Sequence, residues 1–524
     1  MKSLFFFLIC PLVIIAQTRN CDILIRNGKI IDGSGNNWYY GDVAVKDGKI
    51  IGLGRGLNFV APKTIDAAGL IVAPGFIDVH THLEGDELKD PNAMNFILDG
   101  VTTCITGNCG SSNTDIGKYL RWIDSLKLSI NVASLIGHND VRKEVMGKAN
   151  REPSTDEMEQ MKNTVDKAMR DGAVGFSTGL IYIPGTYTKT AEIVELAKVA
   201  AKYNGVYATH MRDEGDSVTY AIDEALTVGR EARIPVEISH FKLSGQQNWG
   251  RSKETVPMVE SARKEGIEVT IDQYPYTASS TNISTLIPDE ILADNQDSIN
   301  SRLQNPQTRK YVIDHMIERL KKRNLKHFSY AVVAYYKTDT TYNGKSIEQI
   351  NLMKGNKHTK EKEAEVIVDI MMHGGASAVF HGMSEEDVKR IMKYPFNMFA
   401  SDASIREFGA GMPHPRGYGT NARVLAEYVR DQHVISLEEA IRRMTSLPAQ
   451  KFQLHSRGLL AEGFAADIVI FDENKVQDLS TYDRPHAYST GFKYVVVNGV
   501  LTVDDEKHLG IRAGQALYGP GASH

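Results

Sequence analysis

Eight short apolar runs in series constrain this chain more than any other feature. They are "LIVAPGFIDVH", "VTTCITGN", "NVASLIGH", "AVGFSTGL", "GVYATH", "PVEISHF", "EVTIDQYPY" and "NMFASDA". Helical patterns lie between most of them, such as "STDEMEQMKNTVDKAMRDG", where Ser154 and Glu157 have capping-box spacing and Gly172 follows the end. Strand-then-helix order repeated eight times predicts an α/β fold, a (β/α)8 TIM-like barrel. At 524 residues the chain has room for a large barrel and a smaller domain.

The two chain ends share a different style. "CDILIRNGKIIDG" and "YYGDVAVKDGKIIGLG" near the start, and "ADIVIFD" and "KYVVVNGVLTVDD" near the end, read as short strands with Asn-Gly and Asp-Gly turn chemistry. They predict one discontinuous β-sandwich domain from residues 17–72 and 456–524, beside a barrel over 73–455. Between the seventh and eighth runs the rhythm breaks. Residues of about 283–394 carry their own helices and the run "FSYAVVAYY", an inserted subdomain on the loop face where sites of this fold sit.

The N-terminal "MKSLFFFLICPLVIIAQT" has a lysine, an apolar core and then a small residue, Ala16. That is the layout of a secretory signal peptide, residues 1–16, and predicts export to a periplasm or the cell exterior. The apolar run is short for a bilayer, and no membrane span is expected once it is removed. Removal takes Cys10 with it. Cys21, Cys104 and Cys109 remain, too few and too scattered for a disulfide framework. The net charge of -5 and the lack of a basic run with interleaved aromatics argue against a nucleic-acid partner.

Metal-binding residue types recur at one place in the pattern, the C-terminal ends of the runs. His80 and His82 end the first, Cys109 follows the second, and His210, His240 and Asp402 end the fifth, sixth and eighth. A single strand-end histidine is ordinarily a hydrogen-bonded loop residue. In a barrel, all of these ends meet at one mouth, and together they predict a metal centre. Thiolate and imidazole suit Zn²⁺, which lowers the pKa of a water and polarises a carbonyl. A neighbouring carboxylate, Asp402, can pass a proton to a leaving amine. The expected chemistry is metal-assisted hydrolysis of an amide. Three similar residues read as structural: Cys104 lies within an apolar run, His138 in "LIGHNDVR" suits a supporting role, and His381 in "VFHGMSEED" suits loop packing before a helix capped at Ser384.

"PGFIDVHTH", with His210, His240 and the "SD" of Asp402, resembles the amidohydrolase superfamily. "GVTTCITGNCGSS", "FSTGLIYIPG", "ATHMRDE", "ISHFK", "DQYPYTASST", "SDAS" and "HPRGYGT" resemble its D-aminoacylase family, the N-acyl-D-amino-acid deacylases, in order along most of the chain. The resemblance implies a tight zinc on Cys109, His210 and His240. It implies a second, weaker position lined by His80, His82 and Asp402, which Cys109 can bridge. Asp402 would be the general acid/base. Lys242, Tyr274, Ser280 and Arg416 would receive the carboxylate of a small N-acyl amino acid substrate, and arginine's fork suits that task. No lysine stands where other amidohydrolases use a carboxylated bridge, and Asn421-Ala422 replaces an expected Phe-Pro. Alternatives are a dipeptidase or cyclic-amide hydrolase on the same centre, or a non-catalytic barrel, whose mark would be missing ligands.

Overall fold

The computed structural model describes residues 19–522. The expected leader, residues 1–16, lies outside the described residues.

The structure is an α/β fold. Eight parallel strands follow one another in chain order: Phe76–Asp78, Val101–Thr106, Asn131–Ser134 (resumed at Ile136–Gly137), Gly175–Gly179, Val206–His210, Val236–Ile238, Val269–Gln273 and Asn397–Phe399. Each pairs in parallel with the next. The first and eighth meet just past their C-terminal ends. Thr81 bridges Ala403, Asp402 N donates to His80 O at 2.9 Å, and His82 N donates to Ala403 O at 2.8 Å. The strand residues are buried throughout, as expected where helices cover a parallel sheet. The covering helices present apolar stripes. Thr155–Arg170, for instance, buries Met161, Val165, Ala168 and Met169, spaced to share one face.

Strands from both chain ends join one nine-stranded sheet. The seam is an antiparallel pair, Ile71–Pro74 against Ile468–Phe471. The nine-stranded sheet has a core that includes Ile25, Ile30, Val43, Val45 and Ile468, and a separate two-stranded parallel pair, Arg19–Asn20 with Phe59–Val60, lies by a smaller core of Cys21, Leu24, Ala44 and Phe59. Asp47-Gly48 and Asn498-Gly499 make the expected tight turns, all four residues at positive φ. Asn27-Gly28 does not turn the chain. It sits at a bulge inside the strand Ile23–Ile30, which stays paired to Tyr39–Lys46 on both sides. Gly28 is needed there because a Cβ would meet Val72 Cγ2 at 2.4 Å. The last residues leave this sheet. Ala516 bridges Val132 and Leu517 packs among residues of the parallel strands.

After the seventh strand comes a three-stranded antiparallel sheet of Ala278–Asn282, Ser377–His381 and Ala331–Tyr335. It shares a separate apolar core with the helices Gln296–Gln304, Pro306–Lys322, Ile347–Met353 and Lys360–Met372. The helix Glu385–Met392 does not belong to that core. Its Val388, Ile391 and Met392 pack into the main one. Among the described residues, no helix is long and apolar enough to cross a membrane.

The helix Thr155–Arg170 carries the predicted capping box. The Ser154 hydroxyl accepts from Glu157 N at 3.3 Å, and Glu157 accepts from Ser154 N at 2.7 Å. Hydrogen bonds from Arg151 and Ser154 lower the Glu157 carboxyl to about 2. A depressed carboxylate gives stability that is whole above the ordinary glutamate range and is lost as pH falls through the folded-state value. Ser154→Ala is expected to destabilise the fold by about 1 kcal/mol, read as a lowered urea midpoint at neutral pH. The Glu157→Gln deficit should shrink as the medium is taken from pH 6 toward pH 2, the window set by the value of about 2.

Candidate metal centre and active site

The strand ends bring His80, His82, Cys109, His210, His240 and Asp402 to one place. Three of these six hold left-handed backbone: Cys109 at φ 52°, His240 at φ 35° and Asp402 at φ 49°. For residues other than glycine, such backbone costs roughly 1–3 kcal/mol and persists only where its surroundings enforce it. Here they do. His240 N donates to Asp272 Oδ1 at 2.8 Å, and Asp402 N is tied to His80 O. Cys109 lies between Gly107 and Gly110, both at positive φ, and its carbonyl rests on Gly179, where a Cβ would meet it at 2.0 Å.

Cys109 Sγ is the hub. His80 Nε2 lies 3.3 Å away, His210 Nδ1 3.6 Å and His240 Nε2 3.7 Å. Each imidazole turns its other nitrogen to a carboxylate. His80 Nδ1 is 3.5 Å from Asp272 Oδ2, His240 Nδ1 is 2.8 Å from Glu214 Oε1, and His210 Nε2 is 3.9 Å from Glu214 Oε2. The 2.8 Å contact from Glu214 is close enough to fix the His240 tautomer that leaves its inner nitrogen free to bind a metal, while Asp272 and Glu214 stand behind His80 and His210 at longer range. Beside this group, His82 Nε2 is 3.2 Å and His80 Nε2 3.8 Å from Asp402 Oδ1. The donor atoms of His80, Cys109 and His240 lie within 4.8 Å of one another, as do those of His80, His82 and Asp402.

The electrostatics calls for a cation. Burial pushes the Cys109 thiol up, but the charge of His80 and hydrogen bonds from His210, His240 and His80 hold it well below the ordinary thiol range. Burial likewise raises Asp402, yet Arg416 first, then His82 and His80, hold it well below the usual carboxylate range. Burial disfavours charge on His82, and contacts with Asp402 and Cys109 reverse this, raising it to about 9. A thiolate and a carboxylate are thus kept ionised in a buried place by Arg416 and by charge on His80 and His82. A divalent cation would meet the same demand with the imidazoles neutral. The inward atoms Cys109 Sγ, His80 Nε2, His210 Nδ1 and His240 Nε2 are the ones a cation would engage, whereas the outer nitrogens His80 Nδ1 and His210 Nε2 make no hydrogen bond. The thiolate, imidazole and carboxylate set fits zinc.

The centre opens on a cavity of about 480 Å³ whose wall includes Lys242, Tyr274, Ser280 and Arg416. Arg416 Nη1 is 2.9 Å from Asp402 Oδ2, and its Nη2 donates to Ser280 O at 3.2 Å. The guanidinium lies over the Tyr274 ring, 4.4 Å from its centroid, and the Tyr274 hydroxyl has no partner. Lys242 reaches the same wall, but its ammonium is engaged 2.5 Å from Glu214 Oε1. Sequence reasoning missed Glu214, Asp272 and Tyr182. Glu214 stands four residues after His210 in "ATHMRDE", a spacing that signals one face of a turn. Asp272 lies on the seventh strand, which offered no ligand to draw attention to it. Tyr182 lines the cavity edge-on to His210, ring centroids 5.0 Å apart.

The residues read as structural behave so. Cys104 is buried in the main core. His138 Nε2 is 2.9 Å from Glu192, which also binds Arg142 at 2.6 Å, a buried triad behind the fourth strand. His381 ends the strand Ser377–His381 rather than lying in a loop, and packs 4.8 Å from the Tyr482 ring. Ser384 does precede the next helix, without a side-chain capping bond.

The model of the amidohydrolase family matches residues 63–503. The D-aminoacylase of Alcaligenes xylosoxydans xylosoxydans is 31% identical over 519 residues, 95% of this chain and 97% of that protein. The crystal structure of N-acyl-D-glutamate deacylase from Bordetella bronchiseptica, complexed with zinc and a phosphonate inhibitor, matches with TM-score 0.80 at 32% identity. The match covers 95% of this chain and all of that one, 100%. A D-aminoacylase structure concerned with the role of its binuclear metal centre matches equally, TM-score 0.80 at 32% identity, covering 95% and 100%. The chain therefore belongs to the amidohydrolase family, in its D-aminoacylase branch.

Proposed function

We propose that this protein is a zinc-dependent hydrolase that cleaves the amide bond of N-acyl-D-amino acids, releasing a carboxylate and a D-amino acid. The observation that carries the reading is the Cys109 thiol met by three imidazoles, each backed by a carboxylate, at the floor of a cavity walled by Arg416. The relatives' printed activities supply the substrate class and its D stereochemistry. The closed succession of parallel strands is read as a (β/α)8 barrel, with the terminal sheet as a discontinuous β-domain and the second core as an insertion. The layout of residues 1–16 supports export to a periplasm or the cell exterior.

Cys109, His210 and His240 would hold the tight zinc, and His80, His82 and Asp402 would line a second position. Zinc there supplies a Lewis acid for the amide carbonyl and makes water a stronger nucleophile at neutral pH. Asp402 receives the proton of the attacking water at Oδ1 and delivers it to the leaving nitrogen. Arg416 holds Asp402 ionised and ready to accept, and its remaining donors, with the free Tyr274 hydroxyl, offer a landing place for the substrate carboxylate. Glu214 and Asp272 orient the imidazoles behind the centre.

The same cavity is also lined by Lys143, Lys148 and Arg406. Its cations outnumber its carboxylates, which favours an acidic D side chain. One charge-assisted hydrogen bond of about 1.5–3 kcal/mol corresponds to about ten- to a hundredfold in kcat/KM. N-acetyl-D-glutamate or N-acetyl-D-aspartate should exceed N-acetyl-D-leucine by that margin.

Amine release from paired D and L N-acetyl amino acids, dipeptides and cyclic amides, with zinc supplied, tests the whole reading. D-selective deacylation supports it. Cleavage confined to dipeptides or cyclic amides would move the same centre to the alternative activity. Cys109→Ala should lose the tight zinc together with turnover; full zinc content in that variant would refute its role as a ligand. Asp402→Asn should keep the tight zinc and lower kcat by about 10²–10⁴-fold, the usual yield of general acid–base catalysis. Normal turnover in Asp402→Asn would remove it from the proton path.

A further inference from the structure

We propose a second, separate metal site in the insertion, a zinc bound by His327, Glu348, His358 and Glu363. It uses no residue of the strand-end centre, so it stands whether or not the proposed activity does.

The four donors come from four short stretches of chain. His327 precedes the turn Phe328–Tyr330. Glu348 lies in the first turn of the helix Ile347–Met353. His358 lies in the link that follows, and Glu363 in the first turn of the helix Lys360–Met372. One donor atom from each lies within 4.8 Å of the other three. His327 Nδ1 is 2.6 Å from Glu363 Oε1 and 3.8 Å from Glu348 Oε1. His358 Nε2 is 2.7 Å from Glu348 Oε1 and 3.9 Å from Glu363 Oε1. Tetrahedral zinc with bonds of about 2.0–2.2 Å separates its donors by roughly 3.3 Å. The two short and two long spacings straddle that value, so small side-chain rotations would equalise them.

Charge and burial point the same way. The Glu363 side chain is fully buried, and its second oxygen is already fixed by Phe328 N at 2.8 Å. The two imidazoles are stacked, ring centroids 4.1 Å apart and planes at 21°. Balancing two carboxylates with protons would put like charges on two stacked rings. One dication balances both carboxylates with both rings neutral. Two imidazole nitrogens and two carboxylate oxygens form a set that zinc accepts in four-coordinate sites. Such an ion would pin the start of the helix Lys360–Met372 to the turn that leads into Ala331–Tyr335. That strand belongs to the sheet that carries Ser280 to the cavity wall. The role would be structural, a brace for the insertion.

The test is zinc content of the full-length protein after dialysis against micromolar zinc, for the unaltered chain and for Glu348→Gln and His358→Gln. Both substituted side chains are partly exposed, so the fold should survive. The expected result is one zinc fewer per chain in each variant, with deacylase turnover unchanged and the zinc-dependent part of the thermal midpoint reduced. Cobalt substitution distinguishes the two places. Thiolate-to-cobalt absorption from Cys109 should persist in both variants while total cobalt falls by one. Equal metal content in the unaltered chain and both variants would overturn the proposal, as would a loss confined to the thiolate-bound metal.

Discussion

Three imidazoles can crowd one buried thiol only if the strands that carry them end at a common level, and the site depends on that constraint. Parallel pairing in consecutive register sets His210 opposite Gly179 on the fourth strand and places the following strand ends alongside. The junction of first and eighth strands, through Thr81 and Ala403, puts His80, His82 and Asp402 on the same rim. Three of the functional residues then take left-handed backbone, a local penalty that an isolated loop would relax away. The strands supply the rigidity that keeps them there.

Charge organises the next layer. Glu214 serves His240 and His210 at once and is itself held by Lys242, so one carboxylate sets the orientation of two imidazoles. Arg416 does the corresponding work on the other side by holding Asp402. The pairing also explains how a buried cluster of ionised groups is tolerated: Lys242 meets Glu214 at 2.5 Å, Arg416 meets Asp402 at 2.9 Å and His82 meets Asp402 at 3.2 Å. Lys242 and Arg416 thus each pair with a neighbouring carboxylate while lining the cavity.

Much of this was legible in the residues. The eight runs gave the strands because parallel strands buried on both faces are nearly continuous apolar stretches, and the ligand types stood out because His, Cys and Asp are rare at such places. The partners behind them were less visible. Glu214 and Asp272 are ordinary acidic residues until the fold brings them against His240 and His80, and no spacing rule joins positions 80 and 272. Asn27-Gly28 misled for a related reason: positive φ serves a bulge as well as a turn, and only the pairing on both sides of it decides. Where the insertion ends is hard to read from residues because the helix Glu385–Met392 is amphipathic, and its apolar face could have served either core.

The insertion has a consequence for specificity. It owns a core of its own, and it is tied to the strand-end region where Ala278–Asn282 follows the seventh strand, where Arg416 grips Ser280 O, and through Tyr182 to Thr281, Thr186 to Asp289 and Trp249 to Gly382 O. Arg416 therefore links Asp402 of the strand-end cluster to the cavity wall contributed by the insertion. A carboxylate arriving at the guanidinium competes for the donors that hold Ser280 and Asp402. Lysine, which lacks the planar fork, could not hold Asp402 and Ser280 O at once.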